Sequence, residues 1–402
     1  MQSPVLLTLL FALCTMIGPL GIDTYLPSFH AIAQEFDVGP AAVQQTLSAY
    51  VLAMAVTMLF YGTLSDTFGR KRVLMASAIG YGVTSFLAAF APNITMLVLA
   101  RFLQGLCAGS GMVIVRAMVQ DKYHGADAQR QMAMVMMVFG LAPALAPIFG
   151  GWLQTHGGWR ATFYFLCAFG AALALMLWRF LPETLPRERR SPLKVGVIAA
   201  NYVQALSNRK FRWMILGLGL MAGANSVYIS SAAEFIMTVL GMDATSLGWL
   251  FIPLIAGTMM GSAISGTFAR RIPLRVQKMI GFGCLLLACF SNVLYNSFTS
   301  HPAVPWAVMP ITLYTLGISL LMPIFTLEAM GQFPQMRGLA SSLQGFTQMM
   351  VFTLMSSLIV PHLFHSALLL AIGQSVTVVL GIAIWTWASR GIAPAPGLER
   401  AR

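Results

Sequence analysis

Gly62-Thr63-Leu64-Ser65-Asp66-Thr67-Phe68-Gly69-Arg70-Lys71-Arg72 lies between two long apolar runs, one from about residue 41 to 64 and one from 73 to 91, neither of which holds a charged residue. About 20 apolar residues in helical form cover the hydrocarbon thickness of a bilayer. A short gap that gathers three basic residues marks the cytoplasmic side, because cytoplasmic loops collect Lys and Arg. The stretch therefore reads as a tight turn joining two membrane-crossing helices.

The same alternation continues in both directions. Only 9% of the 402 residues are charged, against 58% hydrophobic, whereas a soluble domain carries about a quarter charged. Twelve spans fit the pattern: 5–27, 41–64, 73–91, 94–119, 130–154 and 159–181, then 211–236, 245–269, 275–296, 306–330, 337–360 and 366–388. Every second gap is basic, holding Arg70, Lys71, Arg72, Lys122, Arg130, Arg187, Arg189, Arg190, Lys194, Arg209, Lys210, Arg270, Arg271, Arg275, Lys278 and Arg337, and Arg390, Arg400 and Arg402 follow in the tail. The opposite gaps hold Arg160 with the acids Glu35, Asp37 and Asp243. This asymmetry predicts an all-α, multi-pass membrane protein with both termini in the cytoplasm.

The net charge of +12 falls in short connections, where anionic lipid headgroups are the natural counterions; no nucleic-acid partner is expected. Cys14, Cys107, Cys167, Cys284 and Cys289 all lie in apolar runs without a CxxC pair, which points to neither a disulfide framework nor a metal site. No cofactor is expected. The apolar run from Val5 lacks a basic leader and reads as the first helix rather than a signal peptide.

Residues 182–210 form the longest polar stretch, with Pro182, Pro186 and Pro192 among Arg187, Arg189 and Arg190. They read as a flexible or surface-lying linker between a bundle over 1–181 and a second over 211–402. No GxxxxGK[ST] phosphate loop occurs, so nucleotide hydrolysis within the chain is not the expected energy source. Gly62 to Lys71 also has a partial copy 200 residues later, Ser262-Ala263-Ile264-Ser265-Gly266-Thr267-Phe268-Ala269-Arg270-Arg271. Ser, Thr, Phe and the first Arg recur, and each copy closes the second span of its half. Two parallel six-helix repeats around a central cavity are what this pattern implies.

On these residues the chain resembles the major facilitator superfamily, and within it the twelve-helix drug:proton antiporters of the Bcr/CflA (bicyclomycin and chloramphenicol resistance) group. The loop Gly62-x-Leu64-Ser65-Asp66-x-x-Gly69-Arg70-Lys71-Arg72 is similar to the family's loop signature, and Arg101-Phe102-Leu103-Gln104-Gly105 to its fourth-helix motif. Ala142-Pro143-x-x-Ala146-Pro147-x-x-Gly150-Gly151 resembles the antiporter motif of helix five, and Ile22-Asp23-Thr24-Tyr25-Leu26-Pro27 a signature of the subgroup. The resemblance implies proton-driven export of small lipophilic drugs, cationic or neutral, across a bacterial inner membrane by a functional monomer. It also implies a gating role for Gly62, Asp66, Gly69, Arg70, Lys71, Pro143, Pro147 and Gly151. Gly266 stands where Asp66 has its counterpart, so such a gate would be carried mainly by the first half.

The residues can also be read without the family. Asp23 lies about two-thirds along helix one, without a charged neighbour in sequence. An acid at a helix centre costs roughly 3 kcal/mol on insertion scales and so faces a cavity or a partner. Such a carboxyl can exchange its proton for a cationic substrate; a near-interfacial residue fixing the helix end is the plainer reading. Arg101 sits well inside the outer half of a span. Arginine stays charged at any relevant pH, so it is expected to orient Asp23 or Gln104 rather than to carry the proton; snorkelling is the alternative.

Pro143 and Pro147 each remove a helix hydrogen bond and should bend helix five, while Gly150 and Gly151 allow close packing. Tyr25, Tyr50, Gln104, Asn225, Tyr228 and Glu234 are the substrate candidates, because aromatic faces hold lipophilic cations. Glu328 is a further acid, near the inner end of helix ten. A carrier dedicated to one metabolite is the rival within the same fold. A membrane enzyme is not expected, since the six histidines are dispersed toward loops.

Overall fold

Proline and glycine set where the helices stop. The computed structural model describes residues 4–123, 131, 134–135, 142–190, 195–268, 272–299, 301–333 and 337–390, and among these every regular element is a helix. The first half runs α1 (Pro4–Asp23), α2 (Phe29–Glu35), α3 (Pro40–Phe68), α4 (Arg70–Ala89), α5 (Ile94–Ala108), α6 (Ser110–Lys122) and α7 (Ala142–Phe180). After a single turn at Arg187–Arg189 come α8 (Val195–Ser207), α9 (Arg209–Gly223), α10 (Ser226–Ser230), α11 (Gly248–Phe268), α12 (Leu274–Phe298), α13 (Met309–Met330), α14 (Arg337–Leu354) and α15 (Ala367–Ala388).

Among the described residues, ten helical stretches are long and apolar enough to cross a membrane. One of them, Leu145–Phe180, is two helices joined at Gly158, whose φ of 70° and ψ of 176° lie in a region open essentially to glycine alone. The expected seventh span, 211–236, is not one helix. It breaks after Gly223, resumes over Ser226–Ser230 and closes in a wide turn over Glu234–Val239. Polar residues here compete for the backbone: Ser231 Oγ donates to the Val227 carbonyl at 2.5 Å, a bond that bends helices. Counting both cases gives, among the described residues, the twelve crossings that the sequence predicts.

The first span also differs from the expected 5–27, for the apolar helical stretch continues from Val5 to Glu35. Pro27 has no N–H to offer the Asp23 carbonyl four residues back. Accordingly α1 stops at Asp23, and a tight turn at Leu26–Ser28 leads into α2. The far end of α2 is tied down by Glu35, which accepts from Trp159 Nε1 at 2.6 Å and pairs with Arg160 at 2.6 Å. Residues 130, 194, 270, 271, 400 and 402 of the basic pattern, and much of the expected fifth span before Ala142, lie outside the described residues.

The chain forms two compact units, Met1–Lys194 and Val195–Arg402. In each, glycine lets backbones approach closely, as at small-residue membrane helix contacts. A Cβ on Gly105 of α5 would fall 2.2 Å from the Tyr50 carbonyl of α3. In the second unit the glycine has changed partner: a Cβ on Gly257 of α11 would fall 2.2 Å from the Thr312 carbonyl of α13. The linker is not wholly irregular, since α8 lies against α9 and α14.

Candidate functional site

The site in the first unit begins with a helix cap. The Asn93 side chain accepts from the Met96 backbone N–H at 2.9 Å, satisfying a donor that the first turn of α5 would otherwise leave free. Two turns on, Arg101 is wholly buried. The close approach of α5 to α3 at Gly105 brings its guanidinium to 4.1 Å from the Tyr50 ring centre and 4.5 Å from that of Tyr25, with Phe163 at 5.9 Å. Arg101 Nη2 donates to the Gly21 carbonyl at 2.8 Å and Nη1 to Gln104 Oε1 at 2.5 Å. Gln104 Nε2 continues to Ser85 Oγ at 2.7 Å. A desolvated cation facing an aromatic ring gains about 2 kcal/mol, so rings and bonds together offset much of the burial cost.

The tyrosines are held in turn. Tyr25 OH meets Thr46 Oγ1 at 2.6 Å, and Tyr50 OH donates to the Gly18 carbonyl at 2.9 Å. Gly21 is the hub: a Cβ there would lie 2.5 Å from Tyr50 OH and 2.7 Å from Tyr81 OH. The cluster thus joins α1, α3, α4 and α5 around one fixed positive charge.

Asp23 sits two residues beyond that hub, at the break in the first span, with 6% of its surface exposed. Its carboxylate has no hydrogen bond or ion pair among the described residues. Arg101 bonds to Gln104 and to the Gly21 carbonyl, and among the described residues no hydrogen bond or ion pair joins it to Asp23; its Nε has no acceptor there. Helix five closes over the break: a Cβ on Gly150 would fall 2.2 Å from the Thr24 carbonyl. Gly150 makes this approach, while Pro147 and Gly151 are buried beside it. The non-helical backbone of α7 lies at Gly158 rather than at either proline, and the Pro143 side chain lies outside the described residues.

A second cluster surrounds the 62–72 turn. Gly69 has φ of +100°, a conformation that glycine adopts readily, and a Cβ there would lie 2.5 Å from Glu183 Oε2. Arg70 is buried and meets Asp66 at 2.6 Å, Asp121 at 3.1 Å and Ser65 Oγ at 2.6 Å. Its backbone N–H donates to Glu183 Oε1 at 3.0 Å, so Glu183 caps α4 from 113 residues away. Asp121 also accepts from Thr184 Oγ1 at 3.1 Å, and Lys71 Nζ donates to the Trp178 carbonyl at 2.9 Å. Gly62 meets nothing nearer than Val113 at 3.9 Å, so no steric demand requires glycine there.

The second unit has neutral groups at its centre. Asn292 Nδ2 donates to Tyr228 OH at 2.8 Å and faces Gln374 Oε1 at 3.3 Å. Tyr314 OH donates to the Met221 carbonyl at 2.5 Å. Glu234 accepts from Thr238 Oγ1 at 2.8 Å, and Asn225 is half-buried beside the break in helix seven. Among the described residues, the half-buried Lys278 pairs with the buried Glu328, with Phe325 stacked on Trp385 alongside.

Of the predicted residues, Tyr25, Tyr50, Arg101 and Gln104 converge, and Gly69, Arg70 and Asp66 converge separately. Sequence reasoning missed Tyr81, Ser85, Asp121, Glu183, Asn292 and Gln374. Ser77, Tyr81 and Ser85 do recur every four residues on α4, a polar stripe on one helix face that could have been found. Among the described residues no group of three His, Cys, Asp or Glu could hold a metal ion.

Comparison with known proteins covers the whole fold. The family described as the Major Facilitator Superfamily matches residues 11–358. The Bicyclomycin resistance protein homolog of Haemophilus influenzae is 26% identical over 393 residues, 95% of each chain. Multidrug resistance protein D of Escherichia coli (strain K12) is 28% identical over 350 residues, 86% of each chain. A crystal structure of the peptide transporter POT has a TM-score of 0.77 at 14% identity, covering 98% of this chain and 96% of that one; this likeness is one of fold alone.

Proposed function

This chain belongs to the Major Facilitator Superfamily, and from that premise we propose that it exports small lipophilic compounds, antibiotics among them, across a bacterial inner membrane in exchange for protons. The relatives named for drug and bicyclomycin resistance support efflux as the direction. The observation that carries proton coupling is Asp23: a nearly buried carboxyl at a helix break, without a hydrogen bond or ion pair among the described residues, two residues from the backbone carbonyl that Arg101 holds.

In this reading substrate enters with the site open to the cytoplasm and displaces the proton from Asp23. The loaded carrier opens outward and releases substrate, and reprotonation of Asp23 favours the return. Arg101 keeps its charge throughout and supplies a fixed field at the site; the tyrosine rings around it hold its position. The Arg70 cluster at the 62–72 turn makes and breaks as access alternates. Each proton supplies about 2.3 kcal/mol per 100 mV and about 1.4 kcal/mol per pH unit, enough for one or two protons to sustain a steep gradient. No covalent step is required of the protein.

The test uses proteoliposomes with an imposed pH gradient, with tetraphenylphosphonium as a lipophilic cation and chloramphenicol as a neutral compound. The expected result is gradient-driven movement of at least one probe, abolished by a protonophore. Probe movement that persists unchanged after the gradient is collapsed would count against antiport.

A further inference from the structure

Lys71, Arg72, Arg187 and Arg190 face a single groove of about 500 Å³, with Glu183 as the one acid on its walls among the described residues. That acid is already engaged: Glu183 Oε1 accepts from the backbone N–H groups of Arg70, Thr184 and Leu185, and Oε2 faces Arg190 at 3.6 Å. Three positive charges are left without a carboxylate within the groove. Lys71 spends one donor on the Trp178 carbonyl and keeps two. Arg190 Nε is buried with no acceptor among the described residues. The groove thus offers several donors to an anion it does not itself provide.

One flank is apolar. Met75 and Trp178 line the groove, and Trp178 is 63% exposed on the same late turns of α7 as Leu175, which is 62% exposed. Tryptophan with Lys and Arg at a helix end is the composition of a membrane–water boundary. A soluble anion would use the cations and leave this flank idle. A phosphate carrying an acyl tail uses both.

We propose that this groove binds one anionic phospholipid, its phosphodiester held by Lys71, Arg72, Arg187 and Arg190 and an acyl chain lying along Trp178 and Met75. Such a lipid bridges the 62–72 turn and the segment after α7, the two pieces that Arg70 and Glu183 already join. The inference rests on the membrane reading of the chain and is independent of proton coupling.

Delipidated full-length protein in detergent, titrated separately with phosphatidylglycerol, phosphatidylcholine and inorganic phosphate and read by native mass spectrometry, tests it. One phosphatidylglycerol should bind at least about tenfold more tightly than phosphatidylcholine, as several basic contacts to an anionic headgroup require. The double variant Arg72→Gln/Arg187→Gln should lose about tenfold of that binding, while Arg72→Lys/Arg187→Lys should retain it. Equal binding of the two lipids by the wild type would overturn the proposal. So would unchanged lipid binding by the Gln variant, or competition by inorganic phosphate at concentrations comparable to the lipid's, which would reassign the groove to a soluble anion.

Discussion

In the first unit the fourth crossing reaches the first with a charge, and in the second unit the tenth reaches the seventh with a phenol. Arg101 donates to the Gly21 carbonyl, and Tyr314 donates to the Met221 carbonyl; the two acceptors are 200 residues apart, the spacing of the repeated loop. The same bridge is therefore built twice, from different chemistry. A phenol asks for one acceptor. A buried guanidinium asks for several partners and a field of aromatic faces, which is why Tyr25, Tyr50, Gln104 and Ser85 surround Arg101. The difference places a buried cation on the bridge of the first unit and a neutral phenol on that of the second, whose charged pair, Lys278 with Glu328, lies elsewhere.

That contrast can be broken most forcefully at its ion pairs. Lys278→Met should destabilise the protein by about 3–5 kcal/mol, because it strands Glu328 as a buried charge. Adding Glu328→Leu should recover most of the loss in thermal unfolding, since a buried pair replaced by apolar residues is often neutral. A double variant no more stable than the single one would show that Lys278 acts through something other than Glu328. Arg101→Met should lower transport by about tenfold or more, the worth of a charged hydrogen bond of roughly 1.5–3 kcal/mol. Tyr314→Phe should cost about 1 kcal/mol of stability at most and leave transport near wild type. Equal transport losses from the two substitutions would erase the asymmetry between the units.

A smaller effect sharpens the same contrast at the loops. Asp121→Asn should slow transport more than Asp66→Asn, with substrate affinity measured by equilibrium binding held in both. Asp121 is 22% exposed and bonded to two groups, whereas Asp66 is 45% exposed, and exposed pairs contribute about 0–1 kcal/mol.

Much of this was legible in the chain. Twenty-residue apolar runs and one-sided Lys and Arg have few other readings, because the bilayer fixes helix length and the loops carry orientation. Gly69 was legible because a turn between two helices needs its φ, and Arg101 with Gln104 because residues three apart share a helix face. Asp121 and Glu183 were not, since each meets Arg70 across 51 and 113 residues and looks like any helix-end acid in sequence. Lys278 read as a loop charge because it stands four residues into α12; only the approach of α13 turns it toward Glu328. The end of helix one was misjudged at 27 because Pro27 breaks the helix at Asp23 without ending the crossing.

The central claim is that the Asp23 carboxyl exchanges a proton for substrate. Proton release into weakly buffered detergent solution on adding tetraphenylphosphonium or chloramphenicol, compared between wild type and Asp23→Asn, tests it most directly. The account predicts release from the wild type and none from Asp23→Asn, with the variant still binding the compound. Release of the same size from Asp23→Asn would contradict it.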